Sequence, residues 1–232
     1  MDLSSIAFIP DGNRRFAKQA GLPLITAYQL GTQKAWDVIN WMTKYPSIKV
    51  GSFYTLSLEN FLQRDKELKV LFKIFEKELD KIKEGSMVET KQIRLKFIGR
   101  LELFPQYLQG KMKKAEKFTE NFSNKTVNLA IGYNGQAEIV DASKKIAADF
   151  KANKLDIQSL NENNFKKYLY SEFQEPDMIV RTSGTQRLSG FLTYQSSYSE
   201  LYFINKFWPE LIEQDLDTAV GEFSNRQRRF GK

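Results

Sequence analysis

Two segments concentrate side chains able to grip phosphate. The first is Pro10-Asp11-Gly12-Asn13-Arg14-Arg15. Gly12 can take a turn closed to other residues, and a helix opening near Asn13 aims free N–H groups at whatever lies before it. Asp11 offers one carboxylate, the donor that suits Mg²⁺ when ligand phosphates complete its shell, while Arg14 and Arg15 offer guanidinium forks. Read alone, Asp-Gly-Asn is more simply a turn that caps a helix. The second segment runs from Arg181 to Ser189, with two arginines, four hydroxyls and a glycine in nine residues and no acid. That composition suits a diphosphate, and a solvated basic loop explains it equally well.

Three further places offer polar groups. Ser57-Leu58-Glu59-Asn60-Phe61 puts a hydroxyl and an amide where either can orient a ligand or cap the following helix. Glu200 precedes an apolar strand and needs a partner, a metal or solvent. The terminal Arg226 to Lys232 is basic enough to be a solvated tail. The 232 residues contain no histidine and no cysteine, which removes imidazole bases, Ser-His-Asp triads, thiol nucleophiles, disulfides and Cys-ligated zinc. Chemistry must run on carboxylates, amides, hydroxyls, cationic side chains and bound ions. Lys plus Arg number 35 against 28 Asp plus Glu, a balance of +7 that favours an anionic partner.

The elements that must position these groups alternate. Short β-rich apolar runs fall at residues 6–9, 50–56, 94–98, 127–131, 178–180 and 201–204, with helical stretches between them. In the clearest, Leu68, Leu71, Phe75, Leu79 and Ile82 recur at helical spacing while lysines occupy other faces. Further helices are expected over residues 33–44, 106–122, 137–151, 163–173 and 215–229. The reading is one α/β domain over residues 1–232, with a mostly parallel six-stranded sheet, helices on both faces and a ligand crevice at the strands' carboxyl ends. The phosphate-gripping segments follow the first and fifth strands, at that rim. The N-terminal residues do not read as a signal peptide, and no run reaches the roughly 20 apolar residues of a membrane span. The expectation is a cytoplasmic protein that touches membranes from outside.

Taken together, the segments resemble the cis-prenyltransferases, the undecaprenyl (polyprenyl) diphosphate synthase family. The likeness rests on Asp11-Gly12-Asn13 with Arg15, Ser57 with Glu59-Asn60-Phe61, Phe97-Ile98-Gly99, Asn128 to Tyr133 with Gly135, Arg181 to Ser189, Tyr198 to Phe203, and Arg229-Phe230-Gly231. It implies condensation of isopentenyl diphosphate with an allylic prenyl diphosphate, each step adding a cis five-carbon unit, in a homodimer that releases product to a membrane. It implies an apolar channel, for which Leu71, Phe75 and Leu79 are a candidate wall or simply core. Asp11 would hold Mg²⁺ and assist diphosphate departure. Gly12, Asn13 and Arg15, with Arg14 and Tyr28, would surround the allylic diphosphate. Arg181, Arg187 and Ser189 would hold isopentenyl diphosphate. Ser57 and Asn60, beside Phe61, would stand near the reacting carbons. Glu200 would help organise the metal, and Arg229 with Gly231 would reach a neighbouring subunit's site.

The departures from the pattern cluster on the allylic side. Tyr28 stands where many members have histidine, Leu24 where many bacterial members have arginine, and Gln63 where an arginine is common, with Arg64 one residue later as a substitute. Thr185 replaces an acid common in the isopentenyl loop. Each charge-assisted phosphate bond is worth about 1.5–3 kcal/mol, so two lost cations would weaken primer binding unless others compensate. The paired Arg14 and Arg15 resemble archaeal members and imply geranylgeranyl diphosphate as primer, with farnesyl diphosphate the other choice. An atypical member with another acceptor or a short or branched product is the alternative. A nucleic-acid-binding module is the reading from another class; against it, the arginines gather at strand ends beside an acid rather than on an aromatic-studded face.

Overall fold

The computed structural model describes residues 2–63 and 65–225. In chain order these form β1 (Ser5–Ile9), α1 (Asn13–Gln19), α2 (Leu24–Met42), β2 (Val50–Ser57), α3 (Leu58–Gln63), α4 (Asp65–Asp80), α5 (Met87–Thr90), β3 (Ile93–Ile98), α6 (Gln106–Thr119), β4 (Lys125–Tyr133), α7 (Gly135–Lys151), α8 (Glu162–Phe165), β5 (Met178–Arg181), β6 (Glu200–Phe203) and α9 (Glu213–Asn225). All six strands are parallel, in the order β3-β4-β2-β1-β5-β6. β1 lies between β2 and β5 and is buried along its whole length. A strand covered on both faces is apolar along nearly all its length, which is why Ile-Ala-Phe-Ile reads as a run rather than an alternation, and buried Ser5 donates its hydroxyl to the Gln174 carbonyl.

The strand order reverses beside β1, and such a switch point opens a crevice at the carboxyl ends. Ile9 is in register with Arg181, so the segment after β1 and the end of β5 emerge side by side. Ser57 ends β2 opposite Tyr133, past two register shifts, and reaches the same rim.

One sheet face packs against α2 and α9 through Phe8, Phe53, Val38, Met42, Leu216 and Phe223. The same side continues under α4 and α6, where Phe97 and Ile131 meet Leu79, Leu108 and Met112. The other face, carrying Ala7, Tyr54, Ile98 and Ala130, is closed by Tyr170, Phe191 and Leu192. Trp208 joins the first face to the rim. Its ring lies 6.3 Å from Phe8 and 6.5 Å from Phe53, and its indole N–H donates to the Gly31 carbonyl at 2.7 Å.

Two helix expectations change. The helix expected over residues 33–44 starts nine residues earlier, at Leu24, because Pro23 supplies the entry and Ala27 and Gly31 are buried against the rim. The helix expected over 163–173 is only α8 and one 3₁₀ turn, Lys166–Tyr168. There the chain is pulled out of helical geometry by its anchors. Tyr170 donates its backbone N–H to buried Glu138 at 3.0 Å and its hydroxyl to Asp141 at 2.6 Å.

Truncating Trp208 removes a fully buried ring and a buried hydrogen bond together. Trp208→Ala is expected to cost about 3–5 kcal/mol of stability, read as a lowered urea midpoint at unchanged slope.

Candidate functional site

The crevice opens into a cavity of about 1250 Å³. Its mouth is polar, with Asp11, Gly12, Asn13, Arg14, Arg15, Arg181, Arg187 and Ser189. Its depth is mostly apolar, between Phe53, Leu129 and Ile131 of the sheet and Ile39, Leu71, Ile74, Phe75, Leu79 and Ile82 of the overlying α2–α4 layer. The stripe expected from sequence as channel wall or core is therefore wall, and Leu79 serves in the core as well.

Asp11 is the centre of the mouth. One carboxylate oxygen accepts from Arg181 Nη2 at 2.8 Å, and the other lies 3.2 Å from Arg15 Nη2. Its backbone is clamped as tightly. The N–H donates to Thr182 Oγ1 at 2.9 Å, Thr182 Oγ1 donates to the Asp11 carbonyl at 2.7 Å, and that carbonyl also accepts from Trp208 N–H at 3.0 Å. Burial by itself would raise the Asp11 carboxyl; the Arg181 hydrogen bond and charge, the Ser183 hydroxyl and the Arg15 charge outweigh it and hold the group below its ordinary 3.8.

Arg181 is 4% exposed, an expensive place for a cation unless it is paired. Besides Asp11 it donates to Ser189 Oγ at 2.8 Å and to the Arg187 carbonyl, which fixes the loop's path. Its Nε is buried without a partner. Arg15 donates to Ser183 Oγ at 2.6 Å and lies over the Phe207 ring at 5.6 Å, so it spans from α1 to the loop after β5. Gly12 makes this possible. Its φ is +107°, and a Cβ there would sit 2.7 Å from the Phe207 ring. Gly31 likewise gives way to Asn13, whose Oδ1 takes the space an added Cβ would need.

Ser57 and Asn60 both line the cavity, and the Ser57 hydroxyl accepts from Asn60 N–H at 3.1 Å, so it also caps α3. Tyr28 lines the mouth and donates to Glu67 at 2.6 Å; Arg14 lies 3.7 Å from the same carboxylate. Phe61 packs with Phe72 and Phe104, at 6.0 and 5.2 Å, beside the cavity rather than on its wall. Glu200 begins β6 in register with Met178, which is in register with Ile6, five positions before Asp11. At about 3.3 Å per residue that is roughly 16 Å of strand, so a single chain does not bring the two acids together. Arg64, Arg229 and Gly231 lie outside the described residues.

Several residues of the site carry little signal in the sequence. Tyr54 donates towards the Tyr133 and Ser189 carbonyls at 3.1 and 3.3 Å, and burial, with the Glu59 charge, pushes its phenol well up, so it stays protonated. Asn134 caps α7 by accepting from Gln136 and Ala137 N–H at 2.8 and 3.2 Å, and donates to Glu59 at 2.5 Å. Asn134 directly follows β4 and precedes Gly135, the position from which a rim residue is expected, so a signal for it does exist. Trp208 has none.

Comparison with known proteins follows the same lines. The Prenyltransf family model, describing undecaprenyl diphosphate synthases, matches residues 9–231. The chain is 39% identical over 228 residues to a tritrans,polycis-undecaprenyl-diphosphate synthase (geranylgeranyl-diphosphate specific) of Methanopyrus kandleri, across 98% of this chain and 84% of that one. It is 40% identical over 228 residues to the enzyme of the same name from Thermoplasma volcanium, across 98% and 88%. It superposes on the crystal structure of lavandulyl diphosphate synthase from Lavandula x intermedia in complex with dimethylallyl diphosphate with a TM-score of 0.93 and 31% identity, across 99% and 98%.

The lowered Asp11 carboxyl has a direct check. In Arg181→Met the burial remains and its main compensation is gone, so a ¹³C-carboxyl NMR titration should find Asp11 shifted upward from its wild-type value. Because a depressed carboxyl stabilises the fold above its unfolded pKa, the wild type should lose that contribution as pH falls through the depressed value. In the variant, with burial no longer outweighed, that contribution should shrink, so the fall in stability on acidification should be smaller than in the wild type.

Proposed function

We propose, from the premise that this chain belongs to the undecaprenyl diphosphate synthase family of cis-prenyltransferases, that it lengthens geranylgeranyl diphosphate with isopentenyl diphosphate to a cis-polyprenyl diphosphate. The observation that supports this best is one carboxylate held between Arg15 and Arg181 at the mouth of a deep apolar cavity. A diphosphate head and a growing hydrocarbon tail need those two environments joined.

Each condensation breaks the allylic C–O bond, releases diphosphate, joins the allylic carbon to the terminal alkene carbon of isopentenyl diphosphate, and loses one proton from that second substrate. In our assignment Gly12, Asn13, Arg14 and Arg15, with Tyr28, surround the allylic diphosphate. Arg181, Arg187 and Ser189 hold isopentenyl diphosphate. The guanidinium groups face the charge that develops on the departing diphosphate, where fixed donors stabilise the transition state more than the ground state. Ser57 and Asn60 orient the reacting carbons, and the proton passes to a hydroxyl or amide relay or to diphosphate.

The residues fit a magnesium ion that arrives with substrate. Among the described residues no cluster of three acids makes a self-sufficient metal site, and Mg²⁺ is commonly held by one or two carboxylates plus substrate phosphates and water. Asp11 would be its protein ligand, its two oxygens keeping lone pairs beyond those the arginines use. Bound there, the ion would supply charge neutralisation of the diphosphate. Glu200 enters that role only through a second subunit.

Two statements about assembly and place belong with this reading. Family likeness supports a homodimer. β6 ends the sheet and carries Leu201, with neighbouring Tyr198, at the surface. Among the described residues no helix is long and apolar enough to cross a membrane. We place the reaction in the cytoplasm, with product passing to a membrane surface near exposed Leu62, Leu103 and Tyr107.

The alternative of a short or branched product predicts no use for the deep apolar wall. Incubation with labelled isopentenyl diphosphate and dimethylallyl, farnesyl or geranylgeranyl diphosphate, followed by chromatography, separates the readings. Long products made best from the geranylgeranyl primer support ours. Turnover should stop with EDTA, return with Mg²⁺, and be lost in Asp11→Asn without loss of the circular dichroism spectrum.

If the cavity holds the growing tail, filling it must shorten the product. Leu71→Trp should shift the distribution to shorter chains while the first condensation proceeds at its normal rate.

A further inference from the structure

One stretch of the cavity wall is not apolar. Trp36 on α2 and Glu78 on α4 both line the cavity, and Trp36 Nε1 donates to Glu78 Oε2 at 2.7 Å. Behind this pair Lys81 donates to both Glu78 oxygens, at 2.7 and 2.8 Å, and the Lys81 side chain is 60% exposed. Glu78 thus links a cavity-lining ring to a largely exposed ammonium group along the seam between the two helices.

Its depth can be read from the chain. Tyr28 and Glu67 make the bond that joins α2 to α4 at the mouth. Trp36 lies eight residues further along α2 and Glu78 eleven further along α4, about 12 and 16 Å deeper at 1.5 Å per residue. Ile39 and Ile82 carry the cavity about one helical turn further. A tail growing from the mouth therefore meets this polar clasp near the end of the enclosed space.

We propose that the Trp36–Glu78 clasp sets product length. While it is closed, elongation stops once the tail fills the enclosed volume, because the next five-carbon unit has no apolar wall to lie against. Opened, the α2–α4 seam lets the tail pass out of the cavity, and condensation continues. The carboxylate is the reason the seam resists: an aliphatic chain can displace it from the indole N–H only by leaving a half-buried donor facing hydrocarbon. This inference rests on the reading that the cavity holds the tail.

The test is the chain-length distribution from labelled isopentenyl diphosphate under single-primer conditions. Glu78→Leu removes the acceptor at nearly unchanged volume, and Trp36→Phe removes the donor while keeping a ring. Both should lengthen the main product by one or more five-carbon units with an unchanged KM for isopentenyl diphosphate. Glu78→Gln keeps an acceptor oxygen and should retain the wild-type distribution. If Glu78→Leu does not fold, Trp36→Phe carries the test. Wild-type lengths in Glu78→Leu and Trp36→Phe, alongside shortened products from Leu71→Trp, would overturn the clasp and leave the cavity reading standing. If Leu71→Trp also left the lengths unchanged, the cavity reading itself would fall.

Discussion

The pairing of Asp11 with Arg181 is the constraint around which the rim is arranged. A guanidinium that is almost wholly buried at the end of a central parallel strand is costly without a counter-charge, and only the chain leaving the neighbouring strand can supply one. Asp11 must therefore turn back sharply after Ile9, which demands the left-handed Gly12. Thr182 and Trp208 then pin the Asp11 backbone from two sides. The loop after β5 is organised by the same cation, since its remaining bonds go to Ser189 and the Arg187 carbonyl. In the function proposed above, a structural ion pair and a binding site are one object, and neither half can be altered without moving the other.

Some of this is visible in the sequence because parallel topology leaves a simple trace. Six apolar runs separated by helical stretches imply strands whose carboxyl ends share a rim, so Asp11 and Arg181 are expected on one rim, while their adjacency comes from the pairing of β1 with β5. The helical spacing of Leu71, Phe75 and Leu79 shows which residues share a face. It is silent on whether that face meets a core or a void, since both present apolar contacts. The start of α2 is hidden because Leu24 to Tyr28 has no polar cap, and its place comes from burial of Ala27 and Gly31. The failed extension of α8 is hidden for a related reason: Tyr170 is held by Glu138 and Asp141, partners about 30 positions away that no local propensity encodes. Single polar partners of this kind, Tyr54 and Trp208 among them, become legible only when the fold supplies the other half of the bond.

The charge of the mouth says how much of the work the chain does alone. Arg14, Arg15, Arg181 and Arg187 stand at the cavity entrance. Asp11 takes up part of two of them and Glu67 part of a third. Among the described residues there, four cations against Asp11, Glu59 and Glu67 leave a surplus of one, whereas a pair of diphosphate groups brings several negative charges into a half-closed space. Coulomb energies at contact distance in such surroundings reach several kcal/mol per pair, so the difference must be made up by charge that arrives with the ligand. A carboxylate held in its ionised form by two arginines, yet still open to the crevice, is the group that can accept that charge. The depressed Asp11 carboxyl follows from the same arrangement: the arginines that pair it in the crevice keep it ionised across the pH range in which phosphates carry their charge.

The loss of cations inferred for the allylic side has a structural counterpart. Where an arginine would stand, Leu24 leaves the first turn of α2 without charge, and Tyr28 turns its hydroxyl towards Glu67 instead of presenting a cation. Arg14 reaches the same carboxylate at 3.7 Å, a loose and exposed pair worth little by itself. A loose pair is easily exchanged. In the function proposed above, a diphosphate approaching from the cavity side would compete with Glu67 for Arg14 at small cost, and the first arginine after Asn13 would serve where the missing ones would have served. Arg15 has no such freedom, being tied to Asp11, Ser183 and the Phe207 ring. The two neighbours thus play different parts. Arg15 is fixed by the rim and shapes it, whereas Arg14 is held only by a loose, exposed pair.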